Sequence, residues 1–361
     1  MINLYSDQVI FRMQRMGGVS VYCAELMARA LDDPDVSLTI LGAQDEPDNE
    51  AWDSYGLNRT LTAPERFNNL LLQRMTVAKL PKNAAHTCVF HGSYFRTADG
   101  TKNVLTVHDC THQRFLKGRS RFMNDVLKSK CIANTDVIVC ISESTKRDLL
   151  EFYPDANRKR IEVIYNGASD DYRPLEEHEL MGRLAQLGSE PYLLYVGART
   201  SYKNFRFMAK LADRLSGIRI VVAGGKPLEP QELDLFGESA NRVLHFGGLT
   251  NKELNLLYNN AVALVYPSLY EGFGIPILEA MKAGCPVIAF NNSSIPEVLG
   301  DTGFLLENND INGAADACKA LVNDLTLRER VTSKEVARSE QFSWDACYQQ
   351  LKKIYGELAE I

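Results

Sequence analysis

The feature that most limits what this chain can fold into is one strand–turn–helix–strand unit near residue 270. Ala261 to Tyr266 is an apolar run that reads as a buried strand, and Val287 to Phe290 reads as the next one. Between them lies a short helix with Pro276 near its first position, where a missing N–H costs nothing, and Gly284 where a C-terminal cap belongs. Two buried strands joined through a helix run parallel, and parallel sheets need covering layers on both faces. The turn before the helix carries Gly272 and Gly274, so the backbone can approach a ligand and aim N–H groups at it. Glu271 and Glu279 flank that anion-binding turn and suit hydroxyl donors. Phosphate donors beside hydroxyl acceptors fit a nucleotide sugar, although an ordinary strand–turn–helix with two surface glutamates accounts for these residues alone.

The full block decides between those readings. Glu271-Gly272-Phe273-Gly274-Ile275-Pro276-Ile277-Leu278-Glu279 has its glutamates eight apart, with Ala283-Gly284-Cys285-Pro286-Val287, Ser293-Ser294-Ile295-Pro296-Glu297-Val298 and Gly300-Asp301-Thr302-Gly303 downstream. It resembles the signature of the family-4 retaining glycosyltransferases of the GT-B fold. The resemblance implies that Glu279 holds the nucleotide ribose and that Glu271 sits by the transferred sugar. It further implies that the amides of Gly272, Phe273, Gly274 and Ile275 meet sugar hydroxyls and diphosphate.

The rest of the chain agrees with two α/β domains. Its 361 residues suffice for two cores, and 45% apolar with 24% charged residues is the balance of a globular protein. A net charge of −6 argues against a dedicated nucleic-acid binder. No apolar run approaches the roughly 20 residues of a membrane span, and the N-terminus lacks the basic and apolar regions of a signal peptide. Eight scattered cysteines without a C-x-x-C pair fit a reduced cytoplasm.

Taken in order, Ile2 to Ser6 reads as a strand, Asp7 to Gly18 as a loop and Val19 to Leu31 as a helix. Gly17 and Gly18 therefore open a second candidate phosphate site; the family carries a similar pair beside the donor diphosphate and the acceptor. The polar run Gln44 to Asn58 reads as loop, and Pro64 to Leu80 as an amphipathic helix bearing Arg66, Arg74 and Lys79. The strand Asn103 to Val107 ends in His108-Asp109-Cys110-Thr111-His112, where open parallel sheets bind ligands. The resemblance puts His108 against the donor sugar, while Asp109 reads equally as a helix cap. His108 and His112 have no evident third metal ligand, and the family implies no metal. Gln113 to Lys130 holds Arg114, Lys117, Arg119, Arg121, Lys128 and Lys130. It reads as a solvated helix face or as an electropositive edge that meets anionic lipid or an acceptor phosphate. Arg12 and Arg15 add to that side.

The second domain opens with strand Tyr192 to Val196 and the loop Gly197 to Asn204, whose Arg199 and Lys203 resemble the family's diphosphate cations. Gly247-Gly248-Leu249 resembles the segment that holds the base. The expected fold is thus GT-B, two Rossmann-like domains facing across a cleft: residues 1–168 with a returning helix at 345–361, and residues 169–344. The expected reaction moves a hexosyl unit, mannose-like or deoxyhexose, from a GDP-sugar to a glycan or polyprenyl-diphosphate-linked acceptor; UDP- and TDP-sugars stay open. The expected setting is cytoplasmic, extending to the inner membrane face. A sugar-nucleotide epimerase and a non-catalytic nucleotide-sugar binder are the rivals.

Overall fold

The computed structural model describes residues 1–42, 45–65, 67–81, 87–176 and 179–360. The chain divides into two compact units, Met1–Asn166 with Trp344–Ile361, and Gly167–Ser343. The first contains β1 (Ile2–Asp7), α1 (Val9–Met13), α2 (Gly18–Asp32), β2 (Val36–Gly42), α3 (Glu50–Ser54), β3 (Leu61–Pro64), α4 (Leu70–Met75), β4 (Cys88–His91), β5 (Lys102–Val107), α5 (Thr111–Phe115), α6 (Gly118–Asn134), β6 (Val137–Cys140), α7 (Glu143–Phe152) and β7 (Arg160–Val163). Its strands form one parallel sheet in the order β3-β2-β1-β4-β5-β6-β7.

The second unit contains β8 (Tyr192–Val196), α8 (Arg206–Ala212), β9 (Arg219–Ala223), α9 (Pro230–Asp234), β10 (Val243–Phe246), α10 (Asn251–Asn260), β11 (Ala263–Tyr266), α11 (Ile275–Ala283), β12 (Val287–Phe290), α12 (Ile295–Leu299), β13 (Phe304–Leu306), α13 (Ile311–Asn323) and α14 (Leu325–Ser339). Its parallel sheet runs β10-β9-β8-β11-β12-β13. Every residue of β8, β11 and β12 is buried, as a sheet covered on both faces requires. Leu193, Tyr195, Phe207, Met208, Val222, Val265, Phe290 and Leu321 form one core between sheet and helices.

Local chemistry sets the helix boundaries. Thr250 accepts the Glu253 amide at 3.2 Å while Glu253 accepts the Thr250 amide at 2.9 Å, a reciprocal cap at the start of α10. Ser142 caps α7 by accepting the Thr145 amide at 2.9 Å. Gly284 ends α11 in the left-handed region at φ 75°, strained for any other common residue. The last helix, α15 (Trp344–Ala359), packs on α2, β1 and β4 of the first unit. It buries Trp344, Cys347, Tyr348, Leu351, Ile354, Tyr355 and Leu358 on one face. At about 1.5–3 kcal/mol per fully buried large apolar side chain, that stripe fixes the helix in place.

Three stretches differ from the sequence expectation. The helix expected over 64–80 is only α4: Pro64 ends β3 opposite Gly42, Asn69 caps by accepting the Leu72 amide at 3.2 Å, and Thr76 is extended. The polar loop expected over 44–58 holds α3, because Asn49 caps the Trp52 amide at 2.9 Å and Trp52 is buried against Phe11. The loop expected over 7–18 holds α1, with Val9, Ile10 and Phe11 buried. Gln44 and Arg66 lie outside the described residues.

Candidate functional site

Open parallel sheets bind ligands beyond the strand ends where the strand order reverses. In the second unit that point lies between β8 and β11, which pair directly, Leu193 opposite Ala263. The loop after β8 brings Lys203 there, on a tight turn that ends at Asn204 with φ 53°. The loop after β11 brings Glu271. An N–H of Leu269 donates to the carbonyl of Tyr202 at 2.8 Å and ties the two loops together. The Lys203 ammonium donates to Glu271 Oε1 at 2.6 Å, to Oε2 at 2.8 Å and to the Tyr266 hydroxyl at 3.2 Å. Burial first, and the Glu271 charge second, push the Tyr266 pKa well above its ordinary value, so its hydroxyl keeps its proton.

The glutamate loop is fixed from behind by two serines that sequence reading named only as flanking motif. Ser293, at φ 46°, accepts the Glu271 amide at 2.8 Å. Ser294, fully buried, lies 3.0 Å from the carbonyls of both Glu271 and Phe273 and can donate to either. Gly274 stands at φ 102°, a conformation that glycine alone adopts without strain, and opens α11. The first turn of that helix leaves the Gly274 and Ile275 amides without intrahelical acceptors.

Glu279 lies one turn further along α11. It accepts the Tyr258 hydroxyl at 3.0 Å, and the Tyr172 hydroxyl is also within reach. Desolvation outweighs these hydrogen bonds and raises its pKa to about 7. Arg199 goes elsewhere. Its guanidinium meets Glu232 at 2.6 and 3.1 Å and the carbonyls of Lys226 and Pro227 at 2.7 and 3.1 Å. The two cations expected to share a diphosphate therefore sit on different carboxylates, and the Arg199 hydrogen bond is the largest cause of the lowered Glu232 pKa. Gly247 and Gly248, just before the half-buried Leu249, offer their carbonyls to Arg183 at 2.9 and 2.8 Å. Arg183 also makes a bidentate pair with Glu253 at 2.8 and 3.0 Å, a contact that fixes it beside this segment.

In the first unit, Gly17 caps α2 with φ 172°, extended backbone open to any residue, and Gly18 is exposed. His108 follows β5, half-buried, its ring edge-on to Tyr22 at 4.7 Å. Desolvation lowers its pKa to about 4, so the imidazole is neutral at pH 7. Behind it the Tyr22 hydroxyl meets Thr106 at 3.0 Å, Thr106 meets His91 Nε2 at 2.8 Å, and His91 Nδ1 meets the Tyr355 hydroxyl of α15 at 2.6 Å. Asp109 accepts the Thr111 amide at 3.0 Å, a local turn just ahead of α5, whose N-cap is Cys110.

The basic run divides. Arg114 pairs with Asp148 and Glu151, and Arg121 lies 3.5 Å from Asp125. Lys128 is buried, its ammonium donating to the Asp109 carbonyl at 2.7 Å. Lys117 and Arg119 are exposed. Arg12 donates to the Asn68 carbonyl and Gln73, and Arg15 stands 3.5 Å from Glu50. No cluster of metal-ligating side chains occurs among the described residues.

Comparison with known proteins gives matches over both units. Residues 16–172 match the description Glycosyltransferase Family 4, and residues 177–337 match Glycosyl transferases group 1. The O-antigen chain mannosyltransferase B of Escherichia coli is 29% identical over 74% of this chain and 74% of its own. Among solved structures, sucrose-phosphate synthase from Thermosynechococcus elongatus superposes with a TM-score of 0.76 at 18% identity, over 99% of both chains. Anabaena HepE in complex with UDP-glucose superposes with a TM-score of 0.76 at 14% identity, over 99% of this chain and 100% of that one.

Proposed function

The chain belongs to the glycosyltransferases of family 4 and group 1, with two parallel-sheet domains of the GT-B kind, and from that premise we propose that it transfers a hexosyl unit from a nucleoside-diphosphate sugar to an acceptor hydroxyl with retention of configuration. The observation that carries this reading is the meeting of Lys203 and Glu271 at the β8/β11 switch point. In the reaction the bond from the anomeric carbon to the diphosphate oxygen breaks, and a bond from that carbon to the acceptor oxygen forms on the same face. The acceptor proton passes to the departing phosphate oxygen. Lys203 and the amides opening α11 oppose the charge that grows on the leaving group, so the reading assigns no metal. Glu271 and the neutral His108 orient sugar hydroxyls, and Glu279 accepts hydroxyls of the ribose. Arg199 holds the β9 loop and Glu232 through Nε and Nη2, and its Nη1, buried without a hydrogen-bond partner among the described residues, is the donor this reading gives to the diphosphate.

A mannose-like unit from a GDP-sugar is the favoured donor, supported by the similarity to an O-antigen mannosyltransferase; HepE was solved with UDP-glucose. The test is incubation with labelled GDP-mannose, UDP-glucose and TDP-rhamnose, with and without a lipid-linked glycan. Acceptor-dependent release of nucleoside diphosphate supports transfer. Epimer formation supports the epimerase, and binding without turnover supports a non-catalytic binder.

The acceptor in this reading is a glycan carried on a membrane lipid, reached from the cytoplasmic face. No helix among the described residues is long and apolar enough to cross a membrane. What supports surface contact is α6, where Arg119, Phe122, Met123, Val126 and Lys130 fall on one stripe at helical spacing. Phe122 is 69% exposed, with Met123 and Val126 beside it, and a cation stands at each end. An exposed apolar stripe with basic ends suits a helix lying in an anionic lipid interface. Sedimentation with phosphatidylglycerol vesicles, but not phosphatidylcholine vesicles, is the expected result. Phe122→Asp with Val126→Asp should reduce it at least tenfold, and unchanged sedimentation dismisses the surface.

A further inference from the structure

An ammonium group has three protons to donate, and all three of Lys203 are committed, two to the carboxylate of Glu271 and one to the hydroxyl of Tyr266. The side chains of Lys203 and Glu271 are only 17% and 10% exposed, so water replaces little of what either would lose on separating. Lys203 is the cation that the structure sets against Glu271, and the serine contacts at 2.8–3.0 Å keep the carboxylate loop from following a displaced ammonium. From this geometry we infer that the Lys203–Glu271 pair discriminates the complete sugar nucleotide from the bare nucleoside diphosphate. The inference rests on the donor-site reading above and adds a selection rule to it.

The argument is one of exchange. A diphosphate that recruits Lys203 takes its protons from Glu271 and leaves a mostly buried carboxylate beside a polyanion. Stranding one member of a buried pair is strongly unfavourable, because the remaining charge has neither water nor counterion. A hexosyl unit attached to the same diphosphate supplies hydroxyl donors at the carboxylate as the ammonium moves to the phosphate. Both partners are then satisfied again. The bare nucleoside diphosphate satisfies only Lys203. Once the sugar has left, the pair re-forms and competes with the product for the ammonium, which favours product release. Tyr266 serves both states, since its hydroxyl accepts from Lys203 and also bonds to Glu271.

The experiment measures dissociation constants of GDP, GDP-mannose, UDP and UDP-glucose with the wild-type chain and with Glu271→Gln. The amide keeps the shape and a hydrogen-bonding group but removes the charge that holds Lys203. In the wild type the sugar nucleotide of the accepted base should bind at least tenfold more tightly than its nucleoside diphosphate. In Glu271→Gln the nucleoside diphosphate should gain about tenfold in affinity, and the preference should fall towards one. Glu271→Gln binding that diphosphate no more tightly than wild type overturns the inference. Equal wild-type affinities within a base pair overturn it as well, without need of a variant. If none of the four probes binds the wild type, TDP and TDP-rhamnose are measured in the same way; failure of all six ends the donor-site reading itself, and that outcome differs from binding without discrimination.

Discussion

The two units place their sheet reversals in the same topology and fill them in opposite ways. Between β1 and β4 the first unit builds a buried polar network: Ser6 donates to the His91 carbonyl at 2.7 Å, Ser93 to Asp7 at 2.5 Å, and His91 is gripped by Thr106 and Tyr355. The imidazoles of His91 and His108 are held neutral by desolvation, which lowers their pKa values to about 3 and about 4. Between β8 and β11 the second unit keeps a charged pair and a half-committed carboxyl in Glu279. The difference shows how one architecture divides labour. Neutral groups hydrogen-bonded in sequence around His91 resist rearrangement, whereas an ion pair at a strand end can exchange partners with an anionic ligand.

Breaking that contrast starts with its strongest element. Lys203→Ala should lower kcat by about 10²–10³, as loss of a preorganised charge at a leaving group does, while thermal unfolding stays cooperative. Retained turnover in a transfer assay would remove Lys203 from the reaction. Glu279→Ala should weaken nucleoside diphosphate binding by about 1–3 kcal/mol, the range for losing a charged hydrogen-bond partner, measured by calorimetry.

The same carboxyl sharpens the comparison through pH. Its pKa of about 7 lies above the ordinary carboxyl value, so ionisation is the disfavoured step in the free protein. In the proposed donor site ribose hydroxyls donate to the ionised form, so affinity should rise with pH through about 7 and level off above it. Below that point it should fall by up to about tenfold per unit. Glu279→Gln should flatten the profile, and His108 should contribute nothing between pH 6 and 8. A limb that survives in Glu279→Gln assigns the titration elsewhere.

Tyr355→Phe, in the neutral network, should cost about 1–3 kcal/mol of stability by leaving His91 Nδ1 buried and unpaired. Nucleotide affinity should not change, and a change would mean that the two regions are not independent. Ser294→Ala should be mildest. It removes the hydroxyl held between two carbonyls, with a cost of about 1 kcal/mol and a larger effect on kcat than on melting temperature.

Legibility followed the range of the interaction. Strands β8 and β12 stand where their apolar runs predict them, because burial on both faces writes itself into consecutive residues. The left-handed Gly274 and the Gly284 cap were visible for the same local reason. The helix over 64–80 failed because its apolar periodicity took no account of Pro64 ending a strand or of the Asn69 cap. Trp52 gave a usable signal, a single large aromatic in a polar run, that only a hydrophobic-anchor reading would have caught.

The sequence by itself determined the parallel α/β architecture, the glycine turn at the head of α11 and the identity of the residues around it, since these depend on backbone conformation and burial over a few neighbouring positions. Only the tertiary structure decided which charges meet. Arg199 went to Glu232, 33 residues away, and Lys203 to Glu271, 68 residues away. Arg114 went to Asp148, 34 residues away, and left the surface charge run it had seemed to belong to. Charge pairing acts through space and is indifferent to sequence separation, so a string of cations carries no record of its partners until the chain has folded them together.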